Sequence, residues 1–260
     1  MNEIQALILG IIQGLTEFLP VSSSGHLEIG HTILGVKSHN NLMFAVVVHV
    51  ATVFSTIVVF RKDILDIING LFKFKWNKET IFVSKLLFSA IPVIILGLLF
   101  QKELEQFFTG NLFFVGCMLL FTASLLTLTH FVNSNDGKIT FFKAIIIGLA
   151  QALAVFPGIS RSGATIATGL LLKSNKDEVA RFSFLMVLIP ILGAAFLDIL
   201  KGDLTSTESI GLLPLVIGFV SAFASGLFAC AWMIKIVRRG KLIYFAIYCA
   251  VIGLIAIFAA

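Results

Sequence analysis

Long apolar stretches separated by short charged clusters dominate this chain. Six of them, at about residues 42–60, 86–101, 112–131, 182–199, 211–233 and 243–259, approach or reach the roughly 17–25 residues a helix needs to cross a bilayer. Residues 4–37 and 144–173 differ, holding apolar runs too short to span and broken by Pro, Gly, Ser and ionisable side chains. Such backbone is tolerated at membrane depth only where protein buries it or where it lines a polar cavity. The pattern predicts an all-α integral membrane protein, one domain over residues 1–260. It has six transmembrane helices and two re-entrant helix-turn-helix segments.

Composition supports lipid as the solvent. The 260 residues are 58% hydrophobic and 13% charged, with a mean hydropathy of +1.03, whereas soluble domains carry about 25% charge. The net charge of +5 is gathered in a few loops, which suits membrane topology and gives no reason to expect nucleic acid. Met1-Asn2-Glu3 lacks the basic region of a cleaved leader, so none is expected. Basic loops at 61–85 and 235–241 are expected inside, and the acidic-leaning loops near 102–111 (Glu103, Glu105) and 200–210 (Asp203, Glu208) outside. Six crossings then leave both termini outside. The segments 132–143 and 173–181 fall inside, so the first re-entrant segment enters from outside and the second from inside.

An internal repeat explains that asymmetry. Residues 10–25 align without gaps on 148–163, with Gly10/Gly148, Gln13/Gln151, Leu15/Leu153, Phe18/Phe156, Ser22/Ser160, Ser24/Ser162 and Gly25/Gly163 identical. Each copy precedes three spanning segments, so the halves, 1–131 and 139–260, have opposite topology. Interrupted segments at matching places in inverted halves point to a site near the bilayer midplane.

The chemistry sits in those segments. Glu17 shares a helix face with Gln13, and its burial calls for a cation, a metal or a proton. In Pro20-Val21-Ser22-Ser23-Ser24-Gly25-His26 the proline ends one half-helix, and the serines and glycine turn into another. The N-terminus of that second half-helix favours an anion. His26, beside three hydroxyls and within expected reach of Glu17, suits an acid, base or nucleophile. The second copy, Pro157-Gly158-Ile159-Ser160-Arg161-Ser162-Gly163-Ala164-Thr165, carries a guanidinium whose planar fork matches phosphate oxygens, with Ser160, Ser162 and Thr165 as further donors. Face to face, the two copies make a pocket that binds and cleaves phosphate. A carrier for polyprenyl phosphate, suggested by inverted repeats and broken helices, is the alternative, although a carrier has no use for Glu17, Ser23 and His26 together. His49, mid-span, reads as a helix-packing donor or as a partner supporting a site residue, with packing favoured. His31, His39 and His130 read as interfacial, Asp198 and Lys201 as solvated outer positions, and Cys117, Cys230 and Cys249 as apolar-region residues without redox or metal roles.

Residues 13–26 and 157–165 resemble the two signatures of the bacterial undecaprenyl-diphosphatase family of the bacitracin-resistance type, and the resemblance extends over the whole chain in length, span order and motif placement. It implies hydrolysis of undecaprenyl diphosphate to undecaprenyl phosphate and phosphate, recycling the carrier lipid of the cell wall. It also implies a plasma (inner) membrane location with the site open to the extracytoplasmic side. It further implies dependence on a divalent cation, Mg²⁺ or Ca²⁺, at Glu17 and Gln13. The family motif begins with Glu or Gln, and here it is Gln13, which leaves one carboxylate. Glu17, Ser23, His26 and Arg161 are then the catalytic set, and Gln13, Ser22, Ser24, Ser160, Ser162 and Thr165 contact substrate. Ser23 or water attacks the terminal phosphorus, and the choice among Ser23, His26 and water as nucleophile stays open. The expected partners are a polyprenyl diphosphate and the bilayer, with a homodimer as an open alternative.

Overall fold

The computed structural model describes residues 1–36, 42–100, 103–104, 107, 111–132, 137–201 and 211–260. His39, Glu105, Asp203 and Glu208, and the side chains of Asp198 and Lys201, lie outside the described residues. Everything regular among the described residues is helical. In chain order the helices are α1 (Glu3–Phe18), α2 (Ser23–Leu34), α3 (Leu42–Val59), α4 (Arg61–Leu71), α5 (Lys78–Leu99) and α6 (Leu112–Leu128). A 3₁₀ turn, Thr129–Phe131, closes the first half. The second half holds α7 (Phe141–Leu153), α8 (Arg161–Leu171), α9 (Lys176–Met186), α10 (Leu188–Lys201), α11 (Leu212–Arg239) and α12 (Ile243–Phe258).

Three of these, Lys78–Leu99, Leu112–Phe131 and Leu212–Arg239, are long and apolar enough to cross a membrane, and a fourth span results if the bent pair α3–α4 counts as one. Their outward faces stay apolar: Leu98 is 63% exposed, Phe113 55% and Phe228 64%. Contiguous apolar surface on this scale has lipid, not water, as its stable surroundings. The protein is therefore a multi-pass membrane protein.

Two stretches differ from the expected layout. The segment 61–85, expected as a basic loop, contains α4 and the first turns of α5. Ile64, Ile67, Ile68 and Leu71 recur at helical spacing among the charges, and Asn77 caps α5 by accepting the Thr80 N–H at 2.9 Å. The bend between α3 and α4 is 77°. The expected span 182–199 is divided at Val187 into α9 and α10. Pro190 accounts for the break, because it has no N–H to return to the Met186 carbonyl four residues earlier.

Small residues set the helix contacts. Gly10 and Gly14 of α1 lie against the Gly218 and Ala222 carbonyls of α11, a pair of small-xxx-small faces that lets the backbones approach closely. Gly148 of α7 lies in the same way against the Ser89 carbonyl of α5, and Gly116 of α6 against Gly253 of α12. A large apolar cluster containing Phe18, Val21, Ile166, Phe184 and Met186 fills the centre between the two broken segments.

Candidate active site

Each broken segment bends where the chain cannot stay helical. Pro20 holds Leu19 extended (φ −72°, ψ 144°), so α1 stops at Phe18. Ser22 then takes a left-handed φ of 70° and caps α2, its hydroxyl accepting the Gly25 N–H at 3.3 Å. A non-glycine residue holds such a backbone only where its surroundings fix it. They do here, because Ser22 Oγ also accepts the Gly158 N–H of the other turn at 3.2 Å. Gly158 itself has φ 99°, and a Cβ on it would come within 2.6 Å of the Val115 carbonyl oxygen. Thr122 Oγ1 completes the seam, donating to the Gly158 carbonyl (3.1 Å) and accepting from the Ser160 N–H (3.0 Å). Ser162 Oγ donates to the Leu19 carbonyl at 3.1 Å. The two motifs, joined by bonds that span 136 to 144 residues of sequence, thus form one structure.

Glu17 sits at the seam. Its Oε2 accepts from Gln13 Nε2 (2.9 Å) and Ser23 Oγ (2.7 Å), and its Oε1 pairs with the Arg161 guanidinium. His49 Nε2 stands 3.9 Å from Oε2. The Glu17 side chain is only 5% exposed and that of Arg161 24%. A carboxylate this buried is tolerable only when paired and hydrogen-bonded, and each neighbour meets part of that requirement. Ser23 and Arg161 are the first residues of α2 and α8, so two helix N-termini, with their unsatisfied N–H groups and positive dipole ends, meet at the same place. The cleft between Glu17, Thr52, Thr56, Arg161, Ser162 and Ser183 has about 10 Å³ of room, enough for a single water.

The remaining expected residues divide by position. Gln13, Ser23, Glu17 and Arg161 come together. Ser160 caps α8 through the Gly163 N–H (3.0 Å), and Thr165 Oγ1 donates to the Arg161 carbonyl (2.9 Å), so both hydroxyls serve their own helix. Ser24 Oγ lies 3.3 Å from Ser22 Oγ. His26 departs from its expected place beside Glu17. Its Nδ1 is 2.8 Å from the Ser22 carbonyl and its Nε2 2.8 Å from the Tyr248 hydroxyl, with the two rings stacked. Positions 23 and 26 are i and i+3 on α2 and so neighbours on its surface, yet the His26 ring turns to Tyr248 of α12 while Ser23 turns to Glu17. His31, expected at an interface, is buried with neither ring nitrogen bonded among the described residues, because α2 folds back on α1.

His49, for which the sequence favours packing over support of the site, is the imidazole that stands against Glu17 among the described residues. A signal existed: His49, Thr52 and Thr56 form a polar stripe at i, i+3 and i+7 on a helix whose one other polar residue is Ser55, and polar side chains so placed face a protein interior or cavity. Nothing in the sequence pointed to Tyr248.

The residues fit a hard cation in a limited way. Gln13 Oε1 is buried and accepts no hydrogen bond among the described residues, while Glu17 supplies one carboxylate beside it. Among those residues no group of three or more His, Cys, Asp or Glu converges. Magnesium commonly binds through one or two carboxylates and takes the rest of its shell from water and phosphate oxygens, so this pair suits a cation that arrives with a phosphate.

Comparison with known proteins agrees with this architecture. The family model described as "Bacitracin resistance protein BacA" matches residues 6–255. A protein of Bacteroides fragilis named undecaprenyl-diphosphatase is 55% identical, covering 99% of this chain and 98% of its own. Proteins of the same name from Parabacteroides distasonis and Carboxydothermus hydrogenoformans are 56% and 40% identical, over 99% and 97% of this chain. Matching almost end to end, and with both motif turns inside the matched region, the chain belongs to the BacA bacitracin-resistance family.

Proposed function

We propose that this protein hydrolyses undecaprenyl diphosphate to undecaprenyl phosphate and inorganic phosphate, as the names of its relatives state for them. The observation that carries the reading is the Ser23 hydroxyl donating to Glu17 Oε2 at 2.7 Å, with Arg161 on the opposite oxygen of the same carboxylate.

Glu17 is placed to accept the Ser23 proton as Oγ attacks the terminal phosphorus. The P–O bond to the bridging oxygen breaks, undecaprenyl phosphate departs, and water then releases phosphate from the serine. If water attacks directly instead, Glu17 takes the proton from it in the same position. Arg161 uses one terminal nitrogen for Glu17. Its other N–H donors, together with the N-termini of α2 and α8, are free to hold phosphate oxygens. The cleft at the pair has about 10 Å³ of room, so binding of a diphosphate there would displace side chains that line it. A bound Mg²⁺ or Ca²⁺, held by Glu17 and Gln13, would neutralise phosphate charge. His26, bonded to Tyr248 and Ser22, orients the first turn rather than the reacting atoms.

This reading includes a topology. The spans are α3, α5, α6, α9–α10, α11 and α12, with α1–α2 and α7–α8 re-entrant and the halves inverted. In support, repeat-related Gly10 and Gly148 each pack against a carbonyl of the second span in the opposite half. The basic loops then face the cytoplasm and the site opens outward from the plasma membrane. Oligomeric assembly enters nowhere in this mechanism.

The test is phosphate release from undecaprenyl diphosphate by purified protein with and without Mg²⁺. Wild type is compared with Glu17→Gln, Ser23→Ala and Arg161→Met, with an acid quench to trap phosphoserine. Losses on the order of 10²–10⁴ are expected for Glu17→Gln. Full turnover in all three variants would sink the site assignment, and lipid translocation without hydrolysis by wild type would favour the carrier.

A further inference from the structure

A second cavity lies at the other end of α8. Thr129, His130, Leu170, Lys176, Arg239 and Leu242 are among its lining, and it encloses about 340 Å³. Leu170 is nine residues beyond Arg161, which at 1.5 Å per residue puts the cavity about 13 Å from the Glu17–Arg161 pair along the helix.

Its charge is one-sided. Among the described residues no acidic side chain lines it, and Asp177, next to Lys176, is spent on Arg238, whose Nε reaches Oδ1 at 2.6 Å. Lys176 and Arg239 make no ion pair among the described residues. Two further observations say what chemistry it suits. Lys176 is the first residue of α9, whose N–H groups at Asp177 and Glu178 are capped by Asn175, so the positive charge here is the lysine ammonium, which lies against Gly240, where the left-handed backbone (φ 68°) ends α11. On the outer side, Arg239 ends a lipid-facing stripe of α11. Phe228, Trp232 and Arg239 fall at i, i+4 and i+11 on one helix face. The two rings are stacked at 5.9 Å and are 64% and 44% exposed.

We propose that this cavity is a binding site for the phosphate oxyanion of an anionic phospholipid, with the headgroup held by Lys176 and Arg239 and an acyl chain lying along Trp232 and Phe228. The same donors would take free inorganic phosphate, and the aromatic stripe is what favours the lipid. The site is separate from the proposed catalytic one and does not depend on it.

Trp232 supplies the readout. The full-length Trp76→Phe protein, with Trp232 as its remaining tryptophan, is placed in phosphatidylcholine vesicles containing graded phosphatidylglycerol brominated on its chains. Quenching is expected well above that given by the same mole fraction of brominated phosphatidylcholine. Each basic side chain near an anionic headgroup strengthens binding about fivefold, so Lys176→Gln with Arg239→Gln should weaken the preference roughly 30-fold. A control carrying Lys73→Gln and Lys75→Gln, with the same loss of charge in the other basic loop, should keep it. If millimolar phosphate raises the unfolding midpoint of wild type but not of the double variant, and no lipid preference is seen, the oxyanion is the free one. The proposal is overturned if neither probe distinguishes wild type from the Lys176/Arg239 double variant, or if the loop control loses binding equally. Phosphate release from undecaprenyl diphosphate, measured alongside, should be retained by the double variant. Its loss in wild type as well would bear on the catalytic reading alone.

Discussion

Replacing Arg161 with methionine should separate stability from activity. Methionine keeps much of the length and apolar volume of the arginine stem but removes the charge that Oε1 of Glu17 faces. Glu17 is 5% exposed, so its carboxylate would be left uncompensated in a low-dielectric site. Breaking a buried pair by removing one partner costs about 3–5 kcal/mol, and the hydrogen bonds from Gln13 and Ser23 remain to soften it. At roughly 2–4 °C per kcal/mol for a domain of this size, the unfolding midpoint should fall by about 6–20 °C. Replacing the whole pair, as Glu17→Gln with Arg161→Met, removes the stranded charge and should recover most of that loss, while phosphate release stays abolished. The buried thiols Cys230 and Cys249 report unfolding directly when a thiol-reactive fluorophore is present in detergent. The reasoning is refuted if Arg161→Met is as stable as wild type, or if the double variant is no more stable than Arg161→Met.

Other changes probe the scaffold. Gly158→Ala meets both a φ of 99° and the Val115 carbonyl, which together should cost about 2–6 kcal/mol and displace the seam. Thermal unfolding and turnover should fall together. His49→Gln removes the imidazole beside Glu17 without a large volume change, and a loss of about tenfold or more in kcat with little effect on unfolding would place it in the proton path. Unchanged kinetics would return it to packing. Tyr248→Phe deletes only the hydroxyl that meets His26 Nε2, so a loss of about 0.5–1.5 kcal/mol in stability and a smaller kinetic effect than at His49 are expected. Gly14→Leu forces α1 away from the Ala222 carbonyl of α11 and should prevent accumulation of folded protein, read by size-exclusion chromatography in detergent.

Much of this protein was legible in its sequence because the bilayer admits few solutions. Apolar length identified most of the helices, and the prolines and glycines of the two motifs located both turns, since backbone geometry is set locally there. The same local logic, applied to charges alone, hid α4 inside a basic segment, and apolar length alone concealed the break at Val187 that Pro190 imposes. Glu17, Ser23 and Arg161 stand out by residue type and spacing alone. An ionisable group in an apolar segment is costly enough that a need for partners can be inferred before any partner is seen.

What the sequence could not supply is which partners those are. Arg161 pairs with Glu17 across 144 residues because Ser22, Gly158 and Thr122 bind the two turns into one seam. His26, adjacent to the serines in sequence, meets Tyr248 of α12, while His49, from a different helix, arrives beside the carboxylate. Sequence alone determined the membrane class, the paired broken segments and the chemical types in the site, all of which follow from local backbone rules and the cost of charge in lipid. Only tertiary structure decided which side chains face Glu17 and how little space is left there, because helix rotation and close backbone approach are settled by packing between segments far apart in the chain.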